Sequence, residues 1–100
     1  MKKKIISILK RIYDPELNIN IFDLGLIYNI NYNENKKKIN ILMTLTSPSC
    51  PLTDQILFNI KNKIKKKIKK IRKIDIKITF EPPWNKNMMS DKAKFELGIL

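Results

Sequence analysis

Residues 74–80, IDIKITF, decide the fold. Ile74, Ile76, Ile78 and Phe80 alternate with Asp75, Lys77 and Thr79, the period-two pattern of a strand with one buried face. Upstream, Ile56, Ile60, Ile64, Ile68 and Ile71 recur at helical spacing, which predicts a helix of about twenty residues with one apolar stripe. Lysines fill most of its other faces, and like charges one turn apart destabilise a helix slightly, so this helix needs a sheet to pack against. Downstream, Pro82 and Pro83 break regular structure. Ser90 then suits an N-cap and Asp91 a first turn, giving a short last helix through Leu97 that stops at Gly98.

The first half of the chain supplies the partners for that strand. Ile39, Ile41, Met43 and Leu45 alternate with Asn40, Leu42, Thr44 and Thr46, and Tyr28, Ile30 and Tyr32 alternate with Ile27, Asn29 and Asn31. Residues 25–32 and 39–46 therefore form two strands joined by the NENKKK turn, an antiparallel pair. Ile5, Ile8, Leu9 and Ile12 mark an amphipathic helix over residues 2–13, closed where Pro15 forces Asp14 into extended backbone. The order helix, strand, strand, helix, strand, helix is that of a two-layer α+β domain, with a small mixed, largely antiparallel sheet. No repeat or linker interrupts residues 1–100, which form one domain with an expected radius of gyration of roughly 13 Å.

Composition narrows the function classes. One cysteine, Cys50, makes no internal disulfide, and a free thiol fits a reducing compartment such as the cytoplasm. The apolar run IISIL, residues 5–9, is short for a secretory signal core and meets Lys10 and Arg11 at once, and no stretch is apolar enough to span a membrane. The formal charge of +12 invites a nucleic-acid reading, since basic faces gain affinity by releasing counterions from phosphates. However, Ile, Lys and Asn together approach half the chain, and Lys outnumbers Arg nineteen to two. Drift toward AT-rich codons enriches all three, whereas selection for phosphate favours the arginine fork.

Cys50 is the sharpest chemical feature. Pro51 suits the first position of the long helix and leaves Cys50 near its N-cap, where unpaired N–H groups and the helix dipole favour the thiolate. A free cysteine also packs well as a small buried hydrophobe, and position alone does not choose between the two. Asp14, Glu16 and Asp23 gather before the first strand, although Asp14 also closes the turn at Pro15 and Asp23 caps the approach to the strand. Trp84 either covers a pocket or plugs the end of the core, and Met88 and Met89 serve as soft contacts or as core filler. With no histidine, neither a Cys/His pair nor a His-containing zinc site is available. A single chain also cannot supply four cysteines to an iron-sulfur cluster.

Three stretches, YDPELNINIFDLGLIYNI (13–30), MTLTSPSCP (43–51) and EPPWNKNMMSDKAKFELGI (81–99), together resemble the family of small metal-sulfur cluster biosynthetic proteins, which includes SufT-like and PaaD-like members. The matching positions are Asp14-Pro15-Glu16, Asp23-Leu24-Gly25, Thr46, Pro48, Cys50-Pro51, Trp84, Met89-Ser90 and Leu97-Gly98. The resemblance implies an iron-sulfur cluster assembly-type domain and a non-enzymatic role in maturing or delivering clusters. Cys50 is then the metal or cluster ligand, and Asp23, Thr46, Ser49 and Trp84 are its cofactor-binding neighbours. The cysteine-rich tail of PaaD-like members is missing here, which favours the SufT-like branch. Implied partners are the iron-sulfur assembly machinery and apo client proteins. Incomplete ligation by one chain points to a homodimer or a partner complex sharing a transient iron-sulfur cluster. The competing reading is an RNA-binding module using the lysine-rich helix 61–73, which lacks the GxxG loop of the KH domain.

Overall fold

Tyr28 upsets the simplest reading of the first strand. In the computed structural model, which describes residues 1–46 and 53–98, Ile27 pairs with Met43 while Asn29 pairs with Leu42, so Tyr28 is the extra residue of a β-bulge. The bulge resets the alternation. Ile27 joins Ile30 and Tyr32 on the face shared with Met43, Ile41 and Ile39, and Tyr28 leaves that row. Its hydroxyl instead donates to the Pro82 carbonyl, at 2.7 Å.

The elements in chain order are α1 (Lys2–Leu9), β1 (Ile27–Asn33), β2 (Lys38–Met43), α2 (Thr53–Lys67), β3 (Lys73–Ile78), a short 3-10 turn (Lys86–Met88) and α3 (Asp91–Glu96). The three strands form one sheet in the order β1-β2-β3. β1 runs antiparallel to β2 through the tight turn, and β3 runs parallel to β2, with Ile39, Ile41 and Met43 beside Ile74, Ile76 and Ile78. The sheet is mixed as expected, with one ladder of each kind rather than a predominance of antiparallel pairing. Parallel pairing follows because α2 returns the chain to the starting end of the sheet before β3 begins.

One sheet face is apolar and the other polar. Ile30, Ile39, Ile41, Met43 and Ile74 join Ile5, Ile8 and Leu9 of α1 and Ile56, Ile60 and Ile64 of α2 in one buried cluster. Each large aliphatic side chain so buried contributes roughly 1.5–3 kcal/mol. Asn29, Asn31, Asn40, Asp75 and Lys77 occupy the opposite face. There the Lys38 ammonium meets the Asp75 carboxylate at 2.9 Å, and Lys73 approaches it at 3.9 Å. The radius of gyration is 13.5 Å.

Both main helices are shorter than their apolar stripes. α1 stops at Leu9 because Ile12 is drawn into extended pairing, its carbonyl accepting from the Ile21 N–H at 2.8 Å. α2 stops at Lys67, and Ile68 and Ile71 complete the core from the turn that follows. Its expected beginning at Pro51, with Cys50 as cap, lies outside the described residues. Strand bounds move by one to three residues, and Phe80, expected on the buried row of β3, is 39% exposed beyond the strand's end. Ser90 caps α3 as expected, its hydroxyl accepting from the Ala93 N–H at 3.2 Å.

Candidate functional site

The turn Asp23-Leu24-Gly25 is the centre of the site because three parts of the chain converge on it. The first is Asn20, a buried side chain whose amide oxygen accepts from the Asp23 N–H at 2.8 Å, while its Nδ2 donates to Asp23 Oδ2 at 2.7 Å. This reciprocal pair fixes the orientation of a half-buried carboxylate. The second is the loop after β3. Trp84 Nε1 donates to the Leu24 carbonyl at 2.7 Å, and the Ser90 N–H donates to the Asp23 carbonyl at 2.8 Å. Third comes the end of β2, where the Thr44 N–H donates to the Leu26 carbonyl at 2.8 Å.

Gly25 makes this convergence feasible. Its φ is +81°, and a Cβ at this position would collide with the carbonyl of Met88. Only glycine adopts this backbone conformation cheaply and also lets the Met88 backbone approach so closely. Met89 is buried beside it in the core, and the Met88 sulfur accepts from the Tyr28 hydroxyl at 3.6 Å. Trp84 is half-buried and packed against the core, so its ring plugs the end of the core while its indole N–H fastens the turn.

Of the residues expected to form the site, the structure joins Asp23 and Trp84 through the Leu24 carbonyl. Thr46 is half-buried at a bend two residues beyond Thr44. Cys50 and Ser49 lie outside the described residues. Asp14 holds a different post: its Oδ1 accepts from the N–H groups of Glu16 and Leu17 at 2.8 and 3.0 Å, and it is 3% exposed. It therefore closes the turn at Pro15 and belongs to the scaffold. Asn20 and Tyr28 were not anticipated as contributors. An Asn three residues before an Asp is a recognisable turn signal, whereas nothing local announces the bulge that aims Tyr28.

Among the described residues, no three His, Cys, Asp or Glu side chains lie close enough to hold a metal ion. The arrangement offers a carboxylate oriented by Asn20 in a turn that Trp84 fastens, next to the strand end that leads in sequence toward Cys50. No described helix is long and apolar enough to cross a membrane.

Comparison with known proteins places these features in context. A family model described as iron-sulfur cluster assembly protein matches residues 2–78. The chain is 41% identical over 99 residues to an Fe-S protein maturation auxiliary factor of Porphyromonas gingivalis, covering 99% of this chain and 92% of that protein. It is 40% identical over 88 residues to the Fe-S protein maturation auxiliary factor SufT of Staphylococcus aureus, covering 88% of this chain and 98% of that one. A crystal structure of a domain of unknown function, DUF59, from Bacillus anthracis superposes with a TM-score of 0.91 at 36% identity, over 98% of this chain and 92% of that one.

Proposed function

This chain belongs to the SufT-like branch of the iron-sulfur cluster assembly protein family, and on that premise we propose that it is a non-enzymatic maturation factor which passes a cluster, or its iron, to apo client proteins. Cys50 is the ligating thiolate in this reading. We assign Asp23, Thr46, Ser49 and Trp84 to the same cofactor-binding site. The observation that carries the proposal is the fastening of the Asp23–Gly25 turn to the Trp84–Ser90 loop by two backbone-directed hydrogen bonds. Two of the three family-like stretches meet there, and β2 leads from that meeting point into the third.

The chemistry follows from scarcity. A chain with one cysteine and no histidine cannot complete the four-ligand set that a cluster requires. The remaining ligands come from a second copy of the chain, from the assembly machinery or from the client, and the cluster is therefore cargo held incompletely. An unpaired thiolate is favoured near the amino end of a helix, and α2 begins three residues after Cys50 in sequence. A reducing compartment such as the cytoplasm preserves that thiol.

The test is anaerobic reconstitution with ferrous iron and sulfide, followed by visible absorption and by transfer to an apo-ferredoxin. Wild type should develop charge-transfer absorption and activate the acceptor, and Cys50→Ser should lose both. Equal loading of the two proteins would remove Cys50 from the mechanism.

A further inference from the structure

A second candidate surface lies between α1 and α2 and shares no residue with the site above. It is a groove of about 500 Å³ whose rim carries Lys4 and Arg11 on one side and Lys63, Lys66 and Lys67 on the other, with no carboxylate in its lining. Its floor includes Ile8, only 7% exposed. The Lys63 ammonium donates to the Arg11 carbonyl at 3.1 Å, tying the helix to the turn opposite. Among the described residues, the ion pairs are those of Lys38 and Lys73 with Asp75, so none of the five rim cations is neutralised by a described acid. Asn59 and Asn62 add amide groups between the charges.

We infer that this groove is the docking site for an acidic amphipathic helix of a partner protein. Five cations around one slot repel each other, and a ligand carrying carboxylates on both flanks relieves that repulsion. The apolar floor gives such a ligand a place for one aliphatic side chain, the helix-in-groove mode of recognition. Nucleic acid fits less well. No aromatic residue lines the groove, so it has no platform for unstacked bases. Four of the five cations are lysines, which act as point charges and lack the arginine fork suited to phosphate. The slot is also concave, whereas helices that read a duplex project into its groove. The inference does not depend on how Cys50 handles its cargo.

Fluorescence anisotropy on the full chain tests it with three labelled probes: a helical peptide with leucines on one face and glutamates on the others, a permutation of that peptide with its leucines scattered, and oligouridine of equal length. The patterned peptide should bind at least about tenfold more tightly than either of the others, because the floor reads the apolar face. Lys66→Glu with Lys67→Glu should weaken it by about tenfold or more, and Lys61→Glu with Lys65→Glu, the same charge change outside the groove, by less than about threefold. If the first double variant does not fold by circular dichroism, Lys4→Glu with Arg11→Glu tests the opposite rim and should give the same loss. Equal weakening by groove and control variants, equal binding of the two peptides, or tighter binding of oligouridine would each overturn the inference.

Discussion

Gly25 and Asn20 show how much one residue can decide. At Gly25, an L side chain would hold a left-handed backbone that costs roughly 1–2 kcal/mol, and its Cβ would also collide with the Met88 carbonyl. Gly25→Ala should therefore lower unfolding stability by at least about 2 kcal/mol, measured by urea denaturation. A loss below about 0.5 kcal/mol would mean that the loop yields freely. The sequence reading set Gly25 at the start of the first strand, and the reason for its intolerance was out of reach there, because Met88 lies 63 residues further along the chain. Asp14 was legible because its partners, Glu16 and Leu17, are its near neighbours in sequence. Tyr28 was not, since its partners Pro82 and Met88 reach it only through tertiary packing.

Elements were legible wherever one period ran without interruption. β3 carries strict alternation and β2 departs from it only at Leu42, and the structure keeps the core rows Ile39–Ile41–Met43 and Ile74–Ile76–Ile78 in register. Helix ends were less legible, because Ile12, Ile68 and Ile71 continue an apolar rhythm after the hydrogen-bonded spiral has ended. Their burial is what the rhythm reported. The β2–β3 pair also has a titratable link across its polar face. A hydrogen bond from Lys38 holds the Asp75 carboxyl below the usual carboxylate range, against an opposing desolvation and with help from the charges of Lys38, Lys73 and Lys61. Because the folded value is depressed, the stabilisation is full above the unfolded value of about 3.9 and is lost as pH falls through the folded one. The pair is solvent-exposed, so its effect is modest. Asp75→Asn should melt slightly below wild type at neutral pH, and the gap should close in acid. A gap unchanged down to the acid limb would show that the carboxylate's charge is not what Lys38 stabilises.

At the scale of the whole molecule, net charge and core size pull in opposite directions. A charge of +12 on a body with a 13.5 Å radius of gyration is a substantial self-repulsion, and salt screens it within a Debye length of about 8–10 Å. The melting temperature should therefore rise with sodium chloride from a few millimolar to physiological strength. A flat or falling trend would show that local ion pairs outweigh the net field. Composition disclosed the size of the core and the sign of the charge, but not the groove between α1 and α2, which exists only once the two helices lie side by side. β3 is the last strand of the sheet and presents Lys73 and Lys77, both exposed. Another β3 laid along it would bring ammonium groups against their own copies. Fibrous edge-to-edge polymerisation is thereby discouraged, so lysines outside both candidate sites still act to keep each molecule apart from the next.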